Sequence, residues 1–298
     1  MGNVKFTGIM TALVSPMGED GSIREAETRR LMNWHMGEGV RGFYICGGTG
    51  EGVVMQVKHR MHLAEVARDA SGGRAKVIAH VGAVDLKSAV ELARHAGRIG
   101  LDGVSSVPPF FYDYGEKEIG QYYRAISEAA GLPLIMYASP LSGVNITWQM
   151  VETLMDIPGM IGVKWTNYDY FTMRRIKELR GGDINVLNGP DECLLCGLAM
   201  GADGGIGATY NVMPKVITQI YEGFRDGDIE AAQQAQFLAN RLIAVLLKLD
   251  VVPSVKAVLR MLGYDCGYCT YPMKRLDDDE MKTLRRELDA LDYENRYL

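Results

Sequence analysis

Short apolar, β-rich runs alternate with longer amphipathic stretches along most of the chain. The runs predict strands over 9–14, 42–46, 76–81, 103–106, 133–137 and 161–164, with weaker signals at 184–187 and 204–207. Between them, stretches such as 86–99, 116–130 and 171–179 place apolar residues at helical spacing. Strands each followed by a helix fit a parallel (β/α)8 TIM barrel better than an open sheet. Further helical patterns follow over roughly 228–249, 253–262 and 277–291, with no Pro- or Ser-rich linker before them. The reading is a barrel over 1–227 and a C-terminal helical extension over 228–298 packed on it. The tail 293–297 is polar and is expected to fray.

One residue interrupts this pattern. Lys164 lies in the apolar run Met160-Ile161-Gly162-Val163-Lys164-Trp165, just after the break Ile157-Pro158-Gly159. A core strand carries an ammonium only at its end, or at a cost in desolvation. An unperturbed lysine, with a pKa near 10.4, is only about 0.04% neutral at pH 7. That is a loss of roughly 4–5 kcal/mol of nucleophile unless burial lowers the pKa. A buried strand end supplies such burial and makes Lys164 a candidate Schiff-base nucleophile. The alternative is a lysine whose stem lies on the barrel while its amine reaches solvent.

Catalytic groups of such barrels sit at the C-terminal ends of strands. Thr49 and Glu51 follow the second predicted strand, Tyr137 closes the fifth and Lys164 ends the sixth. Strands five and six are neighbours, so Tyr137 and Lys164 should share one mouth. Beside an imine-forming lysine, the Tyr137 phenol is a candidate proton shuttle; alone, a tyrosine there is more often an amphipathic boundary residue. The loop Gly47-Gly48-Thr49-Gly50-Glu51-Gly52 offers clustered N–H donors for a carboxylate, or is simply a tight βα turn. Its spacing is not that of a dinucleotide site. In Asn188-Gly189-Pro190-Asp191-Glu192, the two acids either cap a helix or accept hydroxyls of a polyol.

Composition narrows the classes. A formal charge of -5, with Lys and Arg scattered, argues against nucleic-acid binding. Lys248 and Asp250 interrupt the longest apolar stretch, 242–255, so no membrane span is expected. Residues 1–16 lack the segments of a secretion signal, which makes a cytoplasmic enzyme the default. Two C-x-x-C pairs, Cys193/Cys196 and Cys266/Cys269, raise a zinc site. They lie too far apart for a compact ribbon, and buried reduced thiols are expected. The histidines, His35, His59, His62, His80 and His95, form no evident ligand pattern.

Taken together, Gly47-Gly48-Thr49-Gly50-Glu51, Tyr137, Gly162-Val163-Lys164-Trp165-Thr166 and the 201–211 string GADGGIGATYN closely resemble the dihydrodipicolinate synthase/N-acetylneuraminate lyase family of class I aldolases. The likeness covers essentially the whole chain and is strongest to the lyase branch. It implies a (β/α)8 barrel with a C-terminal helical part, assembled as a homotetramer of paired dimers. It implies a pyruvate Schiff base on Lys164, proton transfer by Tyr137, and a carboxylate held by Gly48 and Thr49. It places Thr166, Gly189, Asp191, Glu192 and Ala208 along the sugar chain, with no metal or organic cofactor. The implied reaction is reversible cleavage of N-acetylneuraminate to pyruvate and N-acetylmannosamine.

Three positions depart from the family pattern. Gly48 stands where a second hydroxyl residue is usual, Phe111 where a neighbouring subunit's tyrosine is usual, and Ala208 where the lyases carry serine. The segment 137–143 also lacks the arginine of the synthases, which argues against that activity. A 2-keto-3-deoxy sugar acid aldolase or dehydratase is the rival enzyme. A keto-acid-binding barrel with weakened turnover is the rival of another class.

Overall fold

The computed structural model describes residues 4–298; residues 1–3, part of the N-terminal reading, lie outside them. Eight strands form the centre: β1 (Gly8–Ala12), β2 (Gly42–Ile45), β3 (Lys76–His80), β4 (Gly103–Ser106), β5 (Leu134–Ala138), β6 (Met160–Trp165), β7 (Asn185–Asn188) and β8 (Gly204–Gly207). Each pairs in parallel with the next, and β1 also pairs with β8, so the sheet closes as a TIM barrel. Both weakly signalled strands, β7 and β8, are present.

The connecting helices are α1 (Glu25–Gly37), α2 (Val57–Ser71), α3 (Leu86–Ile99), α4 (Glu116–Ala130), α5 (Trp148–Leu154), α6 (Tyr170–Glu178), α7 (Leu194–Ala199) and α8 (Pro214–Asp226). α3 shows why they form. The Asp85 side chain accepts the Ser88 N–H at its start, and Ala89, Leu92, Ala93 and Ala96 make one buried stripe. Gly100 then ends the helix in the left-handed region at φ 70°.

Beyond the barrel run α9 (Ile229–Lys248), α10 (Val251–Met261), α11 (Asp278–Ala290) and α12 (Tyr293–Tyr297). The last corrects the expectation of a frayed tail. Tyr293 and Tyr297 are buried, and their hydroxyls donate to the carbonyls of Val212 and Leu238. Two aromatics spaced i, i+4 anchor a string that looks polar by composition.

Burial divides into two cores. Phe6, Met10, Ala12, Tyr44, Ile78, Ile135, Leu187 and Ile206 fill the barrel interior. A larger core lies between the strands and the surrounding helices. Among the described residues, no helix is long and apolar enough to cross a membrane, and no group of three or more His, Cys, Asp or Glu could hold a metal ion. The thiol expectation needs correcting at one pair: Cys266 and Cys269 are buried, whereas Cys193 is half-buried and Cys196 exposed. α7 turns Cys196 outward while Leu194 and Leu198 face the core.

Candidate active site

Strand alternation alone does not aim Lys164 into the barrel. Between β5 and β6 the register runs Leu134↔Met160 and then Ile135↔Gly162, so β6 carries one extra residue at Ile161. Leu134 and Met160 face the outer core, whereas Ile135 and Ile161 face the interior. After the slip, Val163 and Trp165 point outward and Lys164 inward, level with its register partner Tyr137. Gly162 permits this packing, since a Cβ there would stand 1.8 Å from the Asn185 carbonyl oxygen of β7.

Lys164 is 5% exposed and lines a cavity of about 230 Å³ at the barrel mouth. Its Nζ lies 4.2 Å from the centre of the Tyr137 ring and 4.5 Å from that of Tyr44. Among the described residues it makes no ion pair; Asp191, also lining the cavity, is a carboxylate that feels its charge. Tyr44 is fixed by donating to Ser105 Oγ at 3.0 Å, and its ring meets that of Tyr137 edge-on at 6.0 Å. His80 also meets Tyr137 edge-on, at 6.2 Å, and lies 6.2 Å from the Tyr44 ring. Burial, with the charges of Arg60 and Lys164, pushes its imidazole down to about 3, so His80 is neutral at pH 7.

Thr49 lines the same cavity. In its loop the Glu51 N–H donates to the Gly48 carbonyl at 3.0 Å and the Gly52 N–H to that of Gly47 at 3.1 Å. Among the described residues the Gly48 and Thr49 N–H groups have no protein acceptor, which leaves two adjacent donors for an anion. Glu51 is not at the mouth as its strand-end position suggested. Its carboxylate is buried behind the loop, paired with Lys256 of α10.

Thr166, Gly189, Asp191, Glu192 and Ala208 line the rest of the cavity. Gly189 has no room for a side chain: a Cβ would stand 2.0 Å from Thr166 Oγ1. Asp191 does not cap α7; its Oδ2 accepts the Thr209 N–H and hydroxyl, both at 2.7 Å. Burial outweighs those bonds and pushes the Asp191 carboxyl up to about 6. Glu192 accepts a hydrogen bond from Tyr168, and that bond, with some burial, pushes the Tyr168 phenol up to about 12. Ile243, Leu247 and Val251, from α9 and α10, close an apolar wall over the cavity.

Phe111 stands outside this constellation, 84% exposed and at φ 83°. Sequence reasoning missed Tyr44, His80, Tyr168 and the α9–α10 wall. Tyr44 could have been found, since it falls on the predicted second strand two residues before the strand ends. The wall comes from helices distant in sequence and carries no local signal. A separate cavity of about 270 Å³ lies beside the outward faces of Ala138 and Trp165 and contains none of these acids, phenols or amines.

This geometry has relatives. The family model for the dihydrodipicolinate synthetase family matches residues 5–291. An N-acetylneuraminate lyase of Rhizobium meliloti (strain 1021) is 36% identical over 283 residues, covering 95% of this chain and 94% of the relative. The solved structure of the wild-type sialic acid aldolase of Ruminococcus gnavus superposes with a TM-score of 0.93 at 28% identity, covering 99% and 100% of the two chains. A dihydrodipicolinate synthase of Bacillus anthracis superposes with a TM-score of 0.90 at 27% identity, covering 96% and 99%. Overall shape therefore does not separate the two activities. With the match spanning nearly its whole length, the chain belongs to the dihydrodipicolinate synthetase family.

Proposed function

We propose that this protein is a pyruvate-dependent, Schiff-base carbon–carbon lyase that reversibly cleaves N-acetylneuraminate to pyruvate and N-acetylmannosamine. The observation that carries this reading is Lys164 facing Tyr137 across β5 and β6, its Nζ 4.2 Å from the ring centre, at a cavity also lined by Thr49 and Asp191. The R. meliloti lyase, similar over 95% of the chain, supports the choice of substrate.

In this reading the neutral Lys164 amine adds to the substrate's keto carbon and water leaves, giving a protonated imine. The bond between C3 and C4 breaks and its electron pair moves into the imine, forming an enamine. Tyr137, having given its phenol proton to the departing hydroxide when the imine formed, takes the C4 hydroxyl proton, so that C4 leaves as an aldehyde. The enamine is protonated at C3, and hydrolysis releases pyruvate and the free amine. The Gly48 and Thr49 N–H groups and the Thr49 hydroxyl hold the substrate carboxylate. Thr166, Gly189, Asp191, Glu192 and Ala208 contact the sugar chain, with Asp191 and Glu192 accepting hydroxyls. The protonated imine is the electron sink, so the mechanism requires no metal or organic cofactor. A cytoplasmic location and a homotetrameric assembly, in which exposed Phe111 and Tyr112 meet a second copy, complete the proposal.

A second reading, cleavage or dehydration of shorter 2-keto-3-deoxy sugar acids, is favoured by the Tyr168 hydroxyl on Glu192, which occupies an acceptor at the sugar end. Following pyruvate release from N-acetylneuraminate and from short keto-deoxy acids separates the two. Turnover of sialic acid is expected; turnover of the short acids alone would contradict the lyase assignment.

A further inference from the structure

The fully buried pair Glu51–Lys256 sits directly behind the two free N–H donors of the carboxylate loop. Lys256 Nζ lies 2.5 Å from Glu51 Oε1, with both side chains wholly shut from solvent. The other oxygen, Oε2, accepts the Thr270 N–H at 2.6 Å, and Lys256 also donates to the Tyr268 carbonyl at 3.1 Å. Glu51 itself is left-handed, at φ 58°, a conformation that a non-glycine residue holds only under constraint. Its N–H closes the turn onto Gly48, so the position of Glu51 fixes the peptides of Gly48 and Thr49. One residue earlier, the Gly50 carbonyl accepts from Ser15 Oγ at 2.6 Å. The loop is thus tied down at both Gly50 and Glu51. Val251, at the first turn of the same α10, lines the catalytic cavity, so one helix touches both the site and the rear of the loop.

We infer that Glu51 and Lys256 are positioning residues for the substrate carboxylate: the pair keeps the Gly48 and Thr49 N–H groups aimed into the cavity, without touching substrate. This rests on the pyruvate-imine reading above. A buried ion pair is a poor device for stability alone, since replacing both members by neutral groups is often close to neutral energetically. Its use here is to define one loop geometry out of several.

The test compares pyruvate with pyruvamide, its neutral amide, by borohydride trapping on the full chain. In the double variant Glu51→Gln/Lys256→Met, half-saturation by pyruvate is expected to rise about tenfold or more, because donors misplaced by an ångström lose much of their effect. Trapping of pyruvamide should change less than about twofold, since the amide presents no anion to the loop. The milder Glu51→Gln, which keeps an acceptor for Lys256, should show a smaller shift in the same sense and serves if the double variant does not melt cooperatively. Unchanged pyruvate saturation, or an equal loss for both ketones, in a folded variant overturns the inference. Absence of trapping in the parent protein overturns the imine reading instead, so the two failures are distinct.

Discussion

Among the described residues two lysines are buried, and their surroundings differ in kind. Lys256 is enclosed with a carboxylate at 2.5 Å and a carbonyl at 3.1 Å, so its charge is fully matched. Lys164 stands between two aromatic rings at the edge of a cavity, with no ion pair among the described residues. A buried ammonium with a matched charge is held in place by its partner, and removing either one is costly. One left unmatched beside a cavity contributes little to the fold and is available for chemistry. The pair of sites separates what holds the barrel mouth together from what reacts there.

Replacing each lysine by methionine should dissociate these roles. Lys164→Met is expected to abolish imine formation and to lower turnover by about 10⁴-fold or more, with a melting temperature equal to or above the parent's. Lys256→Met should instead cost about 3–5 kcal/mol in denaturant unfolding, because Glu51 would remain buried and unpaired. If Lys164→Met were the destabilised variant, the comparison would be reversed. Next in size is Tyr137→Phe, expected to slow cleavage by about 10²–10⁴-fold while leaving the pyruvate adduct detectable after long incubation.

Smaller effects sharpen the picture of the sugar end. Gly189→Ala forces a methyl onto Thr166 and should cost about 1–3 kcal/mol, with a raised KM for the sugar acid. Asp191 gives a pH test. Its carboxyl is raised from 3.8 to about 6, so the folded protein binds the proton more tightly than the unfolded chain. That contribution to stability is complete below pH 3.8 and is lost as pH rises through about 6. Asp191→Asn should therefore be relatively more stable at pH 7 than at pH 4. It should also remove the acid limb near pH 6 from the kcat/KM profile for sugar cleavage. An acid limb that persists in the variant would assign it to another group. The smallest effect is at Gly48, where a Cβ would meet nothing within 4 Å. Gly48→Ser should stay within about 0.5 kcal/mol of the parent in stability and shows whether an added hydroxyl raises turnover.

Much of this architecture is legible in the sequence. Apolar periodicity located all eight strands to within two residues at each end, because parallel strands buried on both faces read as short continuous runs. It also placed Tyr137 and Lys164 on adjacent strand ends. What periodicity could not show is the extra residue at Ile161 that turns Lys164 inward, since a register slip depends on the partner strand. Strand position alone sends Glu51 toward the mouth, because its partner, Lys256, lies on a helix far along the chain. Helix capping stays open for Asp191 in the sequence because its partner, Thr209, belongs to the segment after β8. Local pattern specifies elements; the pairing of distant polar groups depends on how those elements close.

Borohydride reduction in the presence of pyruvate, followed by peptide mass analysis, tests the central claim most directly. A reduced pyruvate adduct is expected on the peptide carrying Lys164, and none on that carrying Lys256. An adduct confined to any other lysine, or none under saturating pyruvate, would contradict the account.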